Sequence, residues 1–127
     1  MKMEEFKEIL TFDIEESAHW RACKAEEFPE DDRNSRCSGA LAELSESMER
    51  IDHNHPLLIR LRRFEETAFE QDRHLELIER RSSLIGRYGF DNPNDDGTNT
   101  EGFLQELISE YEKEFGGMPP DLKIVSP

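Results

Sequence analysis

The sequence predicts an all-α protein, an antiparallel helical bundle of about four helices in which the third helix is long and central. Apolar side chains recur at alternating steps of four and three residues from Pro56 to Tyr88, which is the spacing of a helix and not of a strand. Charged residues make up 36% of the chain and hydrophobic residues 35%, a composition typical of amphipathic helices with one wet face. We expect residues 1–117 to form a single helical domain and residues 118–127 an extended or flexible tail.

Residues 3–28 are predicted to form the first helix, because two apolar stripes run through them at helical spacing. Pro29 then ends the helix. The first stripe contains Met3, Phe6, Leu10 and Ile14, and the second contains Ile9, Phe12, Trp20 and Cys23.

A second helix is predicted from about Asp32 to His53. Asp31 or Asp32 suits its N-cap, and Gly39 lies in its interior, where it costs about 1 kcal/mol relative to alanine unless it permits a close helix approach. The turn at 52–56 predicts that the second and third helices are antiparallel neighbours. The apolar stripe of the second helix contains Cys37, Leu41, Leu44, Met48 and Ile51.

The third helix, residues 56–88, carries two adjacent apolar stripes and should either run unbroken or break near Ser82–Ser83 or Gly86. The first stripe contains Leu57, Leu61, Phe64, Ala68, Leu75, Ile78 and Ile85, and the second contains Leu58, Phe69, Leu77, Leu84 and Tyr88. We predict that the core includes Leu44, Leu61, Phe64, Leu75, Ile78 and Leu107.

A polar loop at 89–100 precedes a fourth helix, for which Thr100 is the predicted N-cap and Gly116–Gly117 the end. Within this loop, Asn92–Gly97 has the spacing of the first half of a calcium-binding EF-hand loop. The position that should supply a bidentate glutamate is Phe103, so the sequence favours a plain turn. The broad apolar face of the helix contains Phe103, Leu104, Leu107, Ile108, Tyr111 and Phe115.

The formal net charge of −14 argues against binding to nucleic acid or to an anionic membrane, since both require a basic surface. The two ends of the chain carry this charge, whereas residues 56–88 are close to neutral. Cys23 and Cys37 are expected to be free thiols. Because the sequence shows neither a secretory leader nor an apolar run near the length of a membrane span, we expect a cytoplasmic protein.

These features favour a non-enzymatic module without a cofactor, which self-associates or binds another protein. No nucleophile motif, phosphate-binding loop or cysteine-based zinc pattern occurs in the sequence. A continuous third helix would have only the fourth helix to cover its two stripes beyond about residue 75. We therefore predict a homodimer that hides the uncovered apolar surface. The predicted interface residues are Leu77, Leu84, Tyr88, Leu104 and Ile108.

The sequence is also compatible with two other functions, a metal site and a mimic of nucleic acid. Glu16 and His19 have the E-x-x-H spacing found in bundle metal sites, so a carboxylate–histidine metal site could form with Glu70 or His74. The competing interpretation is a carboxylate that is paired with an arginine or hydrogen-bonded. His53 and His55 also have a known metal-ligand spacing, although histidines at a helix end commonly offset the helix dipole. The acidic ends could instead mimic nucleic acid and bind a basic DNA-binding protein, or they could serve solubility alone.

Overall fold

A computed structural model of the protein describes residues 2–91 and 100–115. These residues form five helices, which confirms the predicted all-helical fold but with one helix more than expected. The predicted tail at 118–127, the helix end at Gly116–Gly117 and most of the loop that resembles an EF-hand lie outside the described residues. The helices are α1 (Met3–Glu27), α2 (Arg33–Arg50), α3 (Pro56–Glu70), α4 (His74–Asp91) and α5 (Thr100–Phe115).

The first two helices form an antiparallel pair, on which the other three pack. Ser38 of α2 donates a hydrogen bond to the carbonyl oxygen of Ala18, and Lys7 near the start of α1 donates to the carbonyl oxygen of Glu49 near the end of α2. Helix α4 packs against α2, and α5 packs against both α3 and α4. All five helices contribute side chains to one hydrophobic core.

The expected long third helix is wrong, because the chain breaks at 71–73 into α3 and α4. Asp72 adopts a left-handed conformation with φ of 58°. The backbone N–H of Arg73 donates to the carbonyl oxygen of Ala68 at 2.7 Å, and that of Asp72 donates to Phe69 at 3.2 Å. This pair of bonds is the Schellman arrangement that satisfies the last carbonyl groups of a helix. The break therefore lies ten residues before the expected positions at Ser82 and Ser83.

The break changes which residues of α4 face inward. Leu75, predicted for the core, is 67% exposed, and Ile78 is only partly buried. The residues of α4 that face the core are instead Leu77, Leu84 and Tyr88 of the second stripe, together with Ile85 of the first. The other four predicted core residues are fully buried, as expected: Leu44, Leu61, Phe64 and Leu107.

Gly89 lies where α4 crosses α2, and no side chain fits there. A Cβ atom at this position would overlap Sγ of Cys37 and would lie 3.2 Å from the carbonyl oxygen of the same residue. Gly39, in contrast, has open space around it, so it is not there to permit a close helix approach. Cys37 is buried, which raises the pKa of its thiol, and neither cysteine is in a disulfide.

We expect Gly89→Ala to lower the free energy of unfolding by about 1–3 kcal/mol, because the added methyl group overpacks the contact with α2. Gly86→Ala is the matched control, since no atom lies within 4 Å of its added Cβ. The control should raise the stability by about 0.5–1 kcal/mol through its higher helix propensity. Urea titrations of the two variants, followed by circular dichroism, measure both values. Equal effects would show that α4 does not approach α2 closely at this position.

Candidate functional site

A buried ionic cluster joins four helices of the bundle. Nη2 of Arg81 in α4 lies 2.9 Å from Oδ2 of Asp13 in α1, and its Nη1 donates to Oε2 of Glu65 in α3 at 2.6 Å. The hydroxyl group of Tyr111 in α5 donates to the same Glu65 oxygen at 2.8 Å. The cluster therefore ties α1, α3, α4 and α5 together at one point.

The pKa values of Arg81 and Tyr111 are both raised by their surroundings in this cluster. Burial by itself lowers the pKa of Arg81, but the charges of Glu65 and Asp13 outweigh it, so the pKa is raised above its ordinary value. Burial raises the pKa of Tyr111 well above its usual range, and the neighbouring Glu65 carboxylate raises it further. Strongly shifted groups often mark active sites, but ion-pair networks in a structural role shift pKa values in the same way. We interpret this cluster as a structural one.

A second ionic network joins α5 to α3 and α4 near the protein surface. Arg80 pairs with Glu110 and Glu114, and Arg73 pairs with Glu114 at 3.0 Å. Arg60 pairs with Glu112 at 3.1 Å. Hydrogen bonds from Arg80 and Arg73 lower the pKa of Glu114. Arginines of α3, α4 and the turn between them thus pair with three of the five carboxylates of α5.

The four candidate metal ligands do not come together at one place. Glu70 and His74 line one cleft at the turn between α3 and α4, where the His74 ring stacks 5.0 Å from that of Phe69. Glu16 lies beside α4, and His19 is exposed on α1 with its Nε2 3.7 Å from Sγ of Cys23. Across residues 2–91 and 100–115, no three His, Cys, Asp or Glu side chains are grouped so that they could hold a metal ion.

The two histidines of the H-x-H pair have separate partners. Nδ1 of His55 accepts a hydrogen bond from the backbone N–H of Leu57 at 3.1 Å, so this side chain caps the N-terminus of α3. Its Nε2 lies 3.2 Å from Glu101. His53 instead lies 3.6 Å from Glu4 of α1. The His55 ring therefore caps the start of α3, whereas the sequence suggested that it would offset the dipole at the end of α2.

The five residues predicted for a homodimer interface are buried within a single chain. Their exposed fractions lie between 0 and 4%. Because the chain turns at 71–73, α4 packs against α1, α2, α3 and α5, and these helices cover the stripe that a straight helix would have left in water. The apolar patch that motivated the homodimer is therefore not formed by these residues, which are Leu77, Leu84, Tyr88, Leu104 and Ile108.

Phe69 and Leu75, beside the turn at 71–73, are the most exposed large apolar side chains of the described residues, but the longest row of exposed ones lies along the side of α1 that faces away from the bundle. Ile9, Phe12 and Trp20 are 41%, 57% and 52% exposed, and Cys23 continues the row. We call these four residues the outer face of α1. Their spacing was visible in the sequence as the second stripe of the first helix. The sequence did not show that neither α2 nor α4 covers this stripe.

At its C-terminal half, the outer face is held in place by cation–π stacking. The guanidinium carbon of Arg21 lies 4.9 Å from the ring centroid of Trp20 and 4.0 Å from that of Phe90, at the end of α4. Nη1 of Arg21 also donates a hydrogen bond to Asn34 at 3.2 Å. A side chain ordered before binding loses less conformational entropy when a partner docks. Tryptophan and arginine are also the residues most often found at the energetic centre of protein interfaces.

Comparisons of this chain with models of protein families, with curated proteins and with solved structures gave no match. By its fold and charge, this protein is an acidic helical bundle. None of the described helices is both long and apolar enough to span a membrane.

Proposed function

We propose that this chain is a non-enzymatic protein-binding module and that the outer face of α1 docks an amphipathic helix of a partner protein. The observation that carries the proposal is the exposure of Ile9, Phe12 and Trp20 beside a hydrophobic core that is complete without them. These residues span about 16 Å along α1, at about 1.5 Å per residue. Ile9 and Phe12 are three residues apart and Phe12 and Trp20 are eight apart, so all three lie on one side of the helix and can contact one partner helix.

A partner protein is a better occupant than a second copy of this chain. Glu5, Glu8 and Glu16 are exposed on or beside the outer face, and Glu16 lies between Phe12 and Trp20 at steps of four residues. A symmetric dimer through this face would bring two acidic surfaces together, with a net charge of −14 on each chain. The homodimer expected from the sequence therefore has no support from this face, and the experiment below tests it separately.

The two alternative functions have less support. The metal site would need Glu16 and His19 to meet Glu70 or His74, but Glu16 lines a cleft beside α4, His19 is exposed beside Cys23, and Glu70 and His74 line another cleft. A nucleic-acid mimic needs free carboxylates in place of phosphates at the acidic ends of the chain. The start of α1 has such carboxylates, but those of α5 largely pair with arginines of the same chain, so the C-terminal end supports this function poorly.

The test is photo-cross-linking from the proposed face. A benzophenone amino acid replaces Phe12, and the same amino acid replaces Phe69 in a matched control, because Phe69 is also highly exposed but lies at the turn after α3. After irradiation in cells that make the protein, we expect one discrete adduct from position 12 and none of that mass from position 69. Adding Ile9→Ser and Trp20→Ser should abolish this adduct, because docking then loses two of its three apolar anchors.

Mass spectrometry of the adduct decides between the occupants. A cross-linked helical segment of another protein supports the proposal. An adduct of two copies of this 14.9 kDa chain would show self-association and would contradict the proposal of a partner protein. The same adduct from both positions, or one that survives the two serine substitutions, would show that the outer face of α1 is not the docking surface.

A further inference from the structure

A groove between the start of α1 and the end of α2 adjoins the outer face of α1. Phe12 forms part of its wall, and carboxylates surround it. Glu8 and Glu15 lie one step of four and one step of three residues from Phe12, so all three side chains lie on one side of the helix. The acidic residues that line the groove are Glu4, Glu8, Glu15 and Glu49.

The basic groups of the groove leave most of this negative charge unpaired. Lys7 donates hydrogen bonds at 2.6 Å to the backbone carbonyl oxygens of Glu49 and Ile51, at the end of α2, and not to a carboxylate. His53 faces Glu4 at 3.6 Å. Glu15 accepts a hydrogen bond from the hydroxyl group of Ser45, which does not neutralise it. Among the described residues, the side chains of Glu8 and Glu49 form no ion pair.

This groove contrasts with α5, whose acidic side chains largely pair with arginines of α3 and α4. The positive charge of the central helices is used within the bundle, and the N-terminal half of α1 faces water with unpaired carboxylates around an exposed phenyl ring. A cationic side chain with an apolar neighbour is complementary to both features. The aromatic wall also attracts a cation, and the long stem of a lysine or arginine packs on it.

We infer that the groove binds lysine or arginine side chains of the partner, which makes the docked segment a basic amphipathic helix. This inference rests on the proposed docking face. Glu8 and Glu15 are seven residues apart, or about 10 Å along α1. The partner helix then carries two basic residues about seven positions apart, with an apolar residue between them that packs on Phe12. The carboxylates of the groove favour this basic helix over a neutral or acidic helix with the same apolar face.

Three synthetic helical peptides test the inference. Each is about 18 residues long, enough to span the outer face of α1 at about 1.5 Å per residue. All three share one leucine face, and their polar positions are lysine, glutamine or glutamate. The chain has one tryptophan, Trp20, on the docking face, so a blue shift of its emission reports docking directly. We expect the leucine/lysine peptide to bind most tightly and the leucine/glutamate peptide not to bind.

Charge variants locate the binding site. The double variant Glu8→Gln, Glu15→Gln should bind the leucine/lysine peptide with about tenfold lower affinity, as expected when two partly exposed ion pairs are lost. The control is Glu70→Gln with Glu106→Gln, which removes two charges from exposed positions on α3 and α5. Of these two helices, α5 does not pack against α1. The control should leave the affinity within about twofold, because distant surface charges are screened at physiological salt.

Three alternative results would each contradict a different claim. If both double variants weaken binding equally, general attraction to an acidic protein explains the result and the groove is not a specific site. If the three peptides bind alike and Ile9→Ser with Phe12→Ser abolishes binding, the docking face stands and the inference of a basic partner fails. If the lysine peptide binds unchanged to this serine variant, the docking face itself is wrong.

Discussion

Replacing Arg81 with methionine should lower the free energy of unfolding by about 3–5 kcal/mol. The side chain is 6% exposed and neutralises Glu65 and Asp13, whose side chains are 13% and 31% exposed. Removing one partner of a buried ion pair leaves an uncompensated charge in a medium that solvates it poorly, and this is the costly way to break such a pair. Methionine keeps much of the volume, so packing changes contribute little.

Two further variants separate the buried charge from other causes. Arg87→Met removes an arginine of the same helix that is 50% exposed and pairs with Glu110, so it should cost less than about 1 kcal/mol. Adding Glu65→Gln to Arg81→Met removes the more buried of the two charges that lose their partner, leaves Asp13 as the other, and keeps an oxygen that accepts from Tyr111. The combined loss should therefore fall below the sum of the two single losses. If Arg81→Met and Arg87→Met cost the same in urea titrations, the cluster does not hold the four helices together.

Leu61→Ala should cost about 2–5 kcal/mol, because it removes a fully buried side chain and leaves a cavity in the core. Leu75→Ala is its matched control. Both leucines belong to one stripe in the sequence, but Leu75 is 67% exposed, so its loss should be under about 0.5 kcal/mol. Far-ultraviolet circular dichroism is the suitable probe for these titrations, because Trp20 is exposed and its emission reports poorly on the core.

The pair of leucine variants tests the turn at 71–73 directly. In a continuous helix from residue 56 to 88, both leucines would lie on the same apolar stripe, which was predicted to be buried, and both truncations would be costly. Similar losses for Leu61→Ala and Leu75→Ala would therefore contradict the break into α3 and α4. A large loss for Leu61→Ala alone would support it.

The local pattern of the chain predicted most of the helices, because helix formation depends on neighbours in sequence. Met3–Glu27 matches the first predicted helix to within one residue. Thr100–Phe115 agrees with the last predicted helix over the described residues. The buried positions of α2 and α5 also followed from periodicity, since each of these helices presents one apolar stripe to the core.

The candidate site was predicted only in part. The sequence showed Ile9, Phe12 and Trp20 at helical spacing, but periodicity cannot tell a covered stripe from an exposed one. The choice depends on how many helices surround α1. In the structure, the other stripe of α1 packs on the bundle, and the stripe that contains Phe12 remains in water.

The sequence by itself determined that this protein is helical, acidic and amphipathic along its length. Only the tertiary structure decided where the central segment breaks and therefore which leucines are buried. Residues 71–73 carry no proline or glycine, so nothing local forces the turn. Arg73, however, pairs with Glu114 of α5, and its guanidinium carbon lies 4.8 Å from the Phe115 ring centroid. Contacts between residues some forty positions apart thus stabilise a left-handed Asp72 that the local sequence does not require.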